Sequence, residues 1–137
     1  MKIVLDVNVL VSATFWTGAS FKILKQCDEG KLEHITSLPI LEEYADVLQR
    51  DEILDKQEKY ALHPASIVKR VLDKSHMVEP SQKVDVVMDD PDDNKFLEAA
   101  VKGKAKVIIT QDKHILKLES YKSILIITPE DFLKKYF

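Results

Sequence analysis

The sequence has 137 residues, 45% of them hydrophobic and 31% charged, with three glycines and five prolines. This is the balance of one globular domain over residues 1–137, and it excludes a disordered or fibrous chain or a second core. A net charge of −3 and a pI of about 5.8 exclude a strongly basic protein that holds nucleic acid by charge alone, so any such contact rests on local lysines or on bound metal.

The run Ile3-Val4-Leu5 is short, apolar and rich in β-branched residues, and it predicts a buried strand ended by Asp6. Asp6 comes too early for the apolar region of a signal peptide, and no stretch approaches the roughly 18 apolar residues of a membrane helix. With Cys27 the single cysteine, no internal disulfide can form, and the expectation is a cytoplasmic chain without membrane contact.

Ala19 to Cys27 carries a helical pattern in which Cys27 shares the phase of Leu24, as a small core residue would. A weaker strand is predicted from Leu32 to Ile35, then a helix from Leu38 to Leu48 behind Ser37 and Pro39. The stretch from Asp51 to Pro64 is charged and poorly patterned and predicts a peripheral connection. Helical patterns follow at Pro64 to Lys74, Asp93 to Lys102 and Pro129 to Phe137, the last behind Thr128. Strands are predicted at His76 to Val78, Val107 to Ile109 and Ile124 to Ile127. Strands alternating with helices predict an α/β fold with a mostly parallel sheet covered on both sides.

The chemistry lies in the acids. Asp6 follows the first strand and Asp112 follows Val107–Ile109, so both fall at the carboxyl edge where open α/β sheets bind ligands. With Tyr44 at the centre of its helix's apolar face, Ile40, Leu41, Val47 and Leu48 lie within roughly 60° of it. Glu43 then lies about 100° away, on the flank, and Glu42 nearly opposite. On the helix with the buried stripe Phe96, Leu97, Ala100 and Val101, Asp93 falls inside the stripe, and Lys95, Glu98 and Lys102 fall outside it. Carboxylates on core-facing surfaces are costly unless neutralised. Neither Arg50 nor Arg70 is expected nearby, so a hard divalent cation, Mg²⁺ or Mn²⁺, is the expected partner.

Plainer roles stand beside these. Asp6 can cap a turn, Asp112 can cap a short helix through Leu116, and Asp92 is the expected N-cap of the helix behind it. Glu43 can be an ordinary flank residue. His34, His63, His76 and His114 share no zinc-ligand spacing, no glycine-rich phosphate loop exists, and Ser12, Ser20 and Ser37 lack an elbow motif. It is the convergence of four separated acids that favours a site.

Four segments in order resemble the PIN-domain family, and within it the prokaryotic VapC-like ribonucleases that act as toxins of toxin–antitoxin pairs. Ile3-Val4-Leu5-Asp6-Val7-Asn8-Val9-Leu10-Val11-Ser12 is similar to the first motif, with its Asp and the Asn two residues on. Thr36-Ser37 leading to Glu42-Glu43-Tyr44-Ala45-Asp46-Val47-Leu48 is similar to the second, and alignment on Val47-Leu48 selects Glu43. Asp90-Pro91-Asp92-Asp93-Asn94-Lys95-Phe96-Leu97 resembles the third, with Asp93 in the catalytic place. Val107-Ile108-Ile109-Thr110-Gln111-Asp112 resembles the fourth, with Gln111 where the family commonly has Gly.

The resemblance implies a three-layer α/β/α sandwich and an Mg²⁺- or Mn²⁺-dependent endoribonuclease acting on RNA. It also implies homodimers and, for the toxin types, a blocking antitoxin protein. Asp6, Asp93 and Asp112 are the expected metal ligands and Glu43 completes the catalytic acids. Asn8 and Thr110 would orient ligands and water from behind; Asp90 is either an outer acid of the site or, the favoured role, part of a turn before Pro91; Lys95 and Lys113 either meet substrate phosphate or, as most surface lysines do, solvate a face. The alternatives are an aspartyl-phosphate phosphatase or receiver-like domain, which also place Asp after the first strand, and a catalytically silent RNA-binding or partner-binding module.

Overall fold

A computed structural model describes residues 1–59 and 63–137. Its strands are β1 (Lys2–Leu5), β2 (Glu33–Ser37), β3 (Ser75–Val78), β4 (Val107–Ile109), β5 (Ser120–Tyr121) and β6 (Ile124–Ile127). They form one sheet in the order β3-β2-β1-β4-β6-β5, parallel throughout except for the antiparallel β5–β6 edge. Its helices are α1 (Val7–Phe15), α2 (Ala19–Asp28), α3 (Leu38–Leu48), α4 (Asp51–Lys59), α5 (Pro64–Asp73), α6 (Asn94–Gly103), α7 (Lys113–Leu116) and α8 (Pro129–Tyr136). A single 3₁₀ turn at Pro91–Asp93 leads into α6.

Ile3, Val4 and Leu5 are buried, as are their register partners Val107, Ile108 and Ile109. Successive strand residues point to opposite faces, so burial of all three in a row means that both faces of the sheet are covered. The predicted mostly parallel, doubly covered α/β sheet is the observed one. Among the described residues, no single helix is long and apolar enough to cross a membrane.

The helix α6 packs on β1 and β2 at close range. Its last residue, Gly103, makes this approach possible, because a Cβ there would run into the side chain of Ile35.

Three elements differ from expectation. The apolar run resumes past Asp6 as α1, whose Val7, Val9, Leu10, Val11 and Ala13 are all buried. A helix buried on nearly every side loses the amphipathic period that would reveal it. Part of the charged stretch expected as a peripheral connection is the helix α4, and residues 60–62 of it lie outside the described residues. The two-residue strand β5 has no sequence pattern of its own and exists only by pairing with β6.

The topology fixes where a site can form. The chain runs outward from β1 to β2 and β3 on one side, and returns to β4 and β6 on the other. Leu5 and Ile109 are register partners, so β1 and β4 end side by side at this reversal point, the crevice where such sheets bind ligands.

Candidate active site

Asp6 stands at the end of β1 and caps α1. Its Oδ1 accepts a hydrogen bond of 2.8 Å from the Val9 N–H, and its Oδ2 accepts one from the Thr110 hydroxyl. Asp6 is only 3% exposed, and burial pushes its carboxyl up to about 6 against the pull of these two donors; Asp112 and Glu43 add to the rise. Asp6, for which a turn cap was one expectation, caps the helix α1.

The buried Thr110, at the end of β4, is shared between two acids. Its Oγ1 donates to Asp6 and accepts a 2.9 Å hydrogen bond from the Asp112 N–H. Asp112 in turn caps α7, its Oδ1 accepting from the His114 N–H at 2.7 Å.

Asp93 closes the 3₁₀ turn, with its N–H bonded to the Asp90 carbonyl at 3.0 Å. Its side chain is 7% exposed, and its Oδ2 is buried without a hydrogen-bond partner. Burial first, and then the charges of Asp90, Asp112 and Glu43, push it up to about 7, and Lys95 offsets only part of this.

Glu43 projects from the flank of α3, half-buried, while Glu42 is exposed, as the helical angle predicts. Two other expectations fail. Lys95 does not sit outside the buried stripe of α6: it is 8% exposed, and its Nζ reaches Glu43 at 2.5 Å and Asp92 at 2.6 Å. Burial works against its ammonium, but the bonds to Asp92 and Glu43 outweigh that and hold its pKa above the usual value. Asp92 is not the N-cap of α6. No side chain caps the turn or the helix there, and Asp92 is instead an exposed acid that Lys95 holds below the ordinary carboxylate range.

Asp6, Asn8, Glu43, Asp90, Asp93 and Asp112 line one cavity of about 220 Å³, with Arg50 at its edge and Phe96 and Ile115 in its wall. Thr110 lies behind it, beneath Asp6. Asp6, Glu43, Asp93 and Asp112, the four acids taken as site candidates, and Asp90 thus reach the same place, whereas Asp92 does not line it. Arg50, which the sequence did not bring near, reaches it too. It lies just past the C-cap of α3, beyond the range where helical phase could have placed it. A further residue was missed. Asn94 accepts hydrogen bonds from the N–H groups of Val86 and Val87 at 3.0 and 2.9 Å and donates to Pro91 O at 2.8 Å, which clamps the loop carrying Asp90.

The acidic side chains offer hard carboxylate oxygens, the type that Mg²⁺ and Mn²⁺ take, and the Asp93 Oδ2 is buried without a hydrogen-bond partner. Among the described residues, no three such side chains already stand in coordination geometry. The reason is visible in the bonds above: Asp6, Asp112 and Glu43 have each taken internal donors. Mg²⁺ needs only one or two carboxylates and keeps several waters, so the residues fit such an ion without a closed protein cage.

The PIN domain profile matches residues 2–114, from β1 through the loop that carries Asp112. The chain belongs to the PIN-domain family. This PIN domain is 31% identical over 148 residues to an uncharacterized protein of Methanocaldococcus jannaschii, covering 99% of the chain and 92% of that protein. Its fold is similar to VapBC2 from Rickettsia felis, solved bound to a DNA fragment from their promoter, with a TM-score of 0.60, 14% identity, and coverage of 92% of this chain and 97% of that one. It is equally similar to PAE2754 of Pyrobaculum aerophilum, with a TM-score of 0.60, 18% identity, and coverage of 98% and 88%. The PIN-domain resemblance read from the four motifs, and the α/β architecture it implied, are those of the molecule.

Proposed function

We propose that this PIN domain is an Mg²⁺- or Mn²⁺-dependent endoribonuclease that hydrolyses RNA phosphodiester bonds. The observation that carries the reading is the convergence of Asp6, Glu43, Asp93 and Asp112 from four distant segments on one cavity, with a buried oxygen of Asp93 left without a partner. Asp6, Asp93 and Asp112 would hold the ion, directly or through water. When bound, the ion supplies Lewis-acid stabilisation of phosphoryl charge and a water of lowered pKa.

The chain's own residues do the positioning. Thr110 fixes Asp6 by donating to it and fixes the Asp112 backbone by accepting from it. Asn94 holds the loop that brings Asp90 to the rim, and Asn8, at the mouth of the cavity, can orient a water or a phosphate oxygen. Arg50 at the edge supplies a planar donor for a phosphate, which an otherwise acidic cavity lacks.

The toxin role, with an antitoxin partner and a homodimer in the cytoplasm, forms part of the same proposal. It is supported by the family and by the fold shared with a VapBC chain.

Incubation of labelled single-stranded RNA with the purified chain and Mn²⁺ tests the reading. Cleavage that a chelator stops, and that falls by about 100-fold or more in folded Asp6→Asn and Asp93→Asn, is expected. Full cleavage by either variant, or cleavage in chelator, would defeat it.

A further inference from the structure

Glu43 and Asp93 line the same cavity, yet their surroundings differ in kind. The Asp93 Oδ2 is buried with no partner, whereas Glu43 is already neutralised by an ammonium 2.5 Å away. That ammonium belongs to Lys95, a buried lysine that is 8% exposed, and it lies over the Phe96 ring at 5.5 Å to the centroid. The stem of Lys95 is fixed by α6, two residues after Asp93, so its charge is delivered to Glu43 by the same turn that delivers the orphaned carboxylate. Asp92, exposed on the outer side, takes a second proton of the same ammonium at 2.6 Å and braces it from solvent.

A lysine ammonium supplies the charge of a small cation, and its removal would leave the half-buried Glu43 carboxylate inside the cavity without a counter-charge. Two-metal phosphodiesterases need carboxylates for both ions, about 4 Å apart. Here, the acid that would serve a second ion is spoken for.

We propose that Lys95 is a built-in counter-cation that removes Glu43 from the coordination shell, so that the cavity takes a single tightly held divalent ion on the Asp6, Asp93 and Asp112 side. This rests on the metal-dependent reading above. Lys95 acts through Glu43 and is a positioning residue, not a phosphate contact.

Titration with Mn²⁺ alone, counted by electron paramagnetic resonance and calorimetry, tests it in four chains: the parent, Lys95→Met, Glu43→Gln and the double variant. The parent binds one tight Mn²⁺. Lys95→Met frees Glu43, and the stoichiometry rises to two. Glu43→Gln leaves the single ion's affinity within about threefold, because Glu43 is not a ligand. The double variant returns to one ion, which a merely structural role for Lys95 would not produce.

A tenfold or greater loss of affinity in Glu43→Gln overturns the proposal, and so does a stoichiometry of one in folded Lys95→Met. Should Lys95→Met fail to fold, the Glu43→Gln affinity decides alone. A parent that binds no Mn²⁺ at millimolar concentration defeats the metal-dependent reading itself, an outcome distinct from one in which the parent binds one ion and Glu43→Gln loses it.

Discussion

Thr110 and Asp6 are 104 residues apart in the chain, and the hydroxyl of one donates to the carboxylate of the other inside the protein. The register that places Leu5 against Ile109 brings them together, so a feature of the sheet becomes a feature of the site. The same hydroxyl accepts from the Asp112 N–H, and one side chain therefore ties two of the converging acids to the end of β4.

Thr110→Val keeps the shape of the side chain and removes the hydroxyl. It should cost about 1–3 kcal/mol in urea unfolding, because a buried carboxylate oxygen and a backbone N–H each lose a partner. Thr110→Ser should restore most of that. Equal stability of the Val and Ser variants would mean that the hydroxyl does not hold Asp6.

The pH dependence has a definite sign. Burial and neighbouring charge raise Asp93 from its ordinary 3.8 to about 7, so its contribution to stability is fully present below about 3.8 and is lost as pH rises through 7. Metal-free protein at pH 8 is therefore penalised, and Asp93→Asn should be more stable than the parent there by about 1–3 kcal/mol. That advantage should shrink as pH falls toward 5, and Mn²⁺ should reverse it by stabilising only the parent. His34 runs the other way. Burial lowers it to about 4, so its contribution is present above its ordinary 6.5 and lost as pH falls. Comparing parent with variant at each pH in thermal melts cancels His34 and isolates Asp93. A variant less stable than the parent in chelator at pH 8 would contradict the assignment.

Asn94→Ala leaves the N–H groups of Val86 and Val87 without their acceptor. It should destabilise the chain by about 2–3 kcal/mol and raise hydrogen exchange first in the loop before Asp90. Protection unchanged from Val84 to Asp90 would show that the clamp is dispensable.

Much of the fold was legible because burial leaves a signature in composition. The buried strands β1, β4 and β6 are nearly pure Ile, Val and Leu, and α3 is bracketed by Ser37 and Pro39 at one end and by the last apolar pair, Val47 and Leu48, at the other. The helix α1 was not legible because it is apolar nearly all round, and β5 was not because two residues become a strand only through β6. In the site, Asp6 and Asp112 were legible at strand ends, Glu43 on a helix flank and Asp93 in phase with the buried stripe that follows it. Lys95 was not. Its partner Glu43 lies 52 residues away, and helical phase alone assigned its side chain to solvent. A long, flexible stem let the ammonium turn back to a charge that phase could not reveal. Arg50 was not readable because it lies past the end of α3, and the reach of Asn94 to Val86 depends on a loop whose path no local pattern sets.

The most direct test of a shared, cation-neutralised pocket is anomalous diffraction at the manganese edge from crystals of the full chain soaked in Mn²⁺. The account predicts a single strong peak in the cavity bounded by Asp6, Asp93 and Asp112, with the Asp93 Oδ2 turned to it and Lys95 still on Glu43. A cavity without a peak under saturating Mn²⁺, or an ion bound only to surface acids elsewhere, would contradict it.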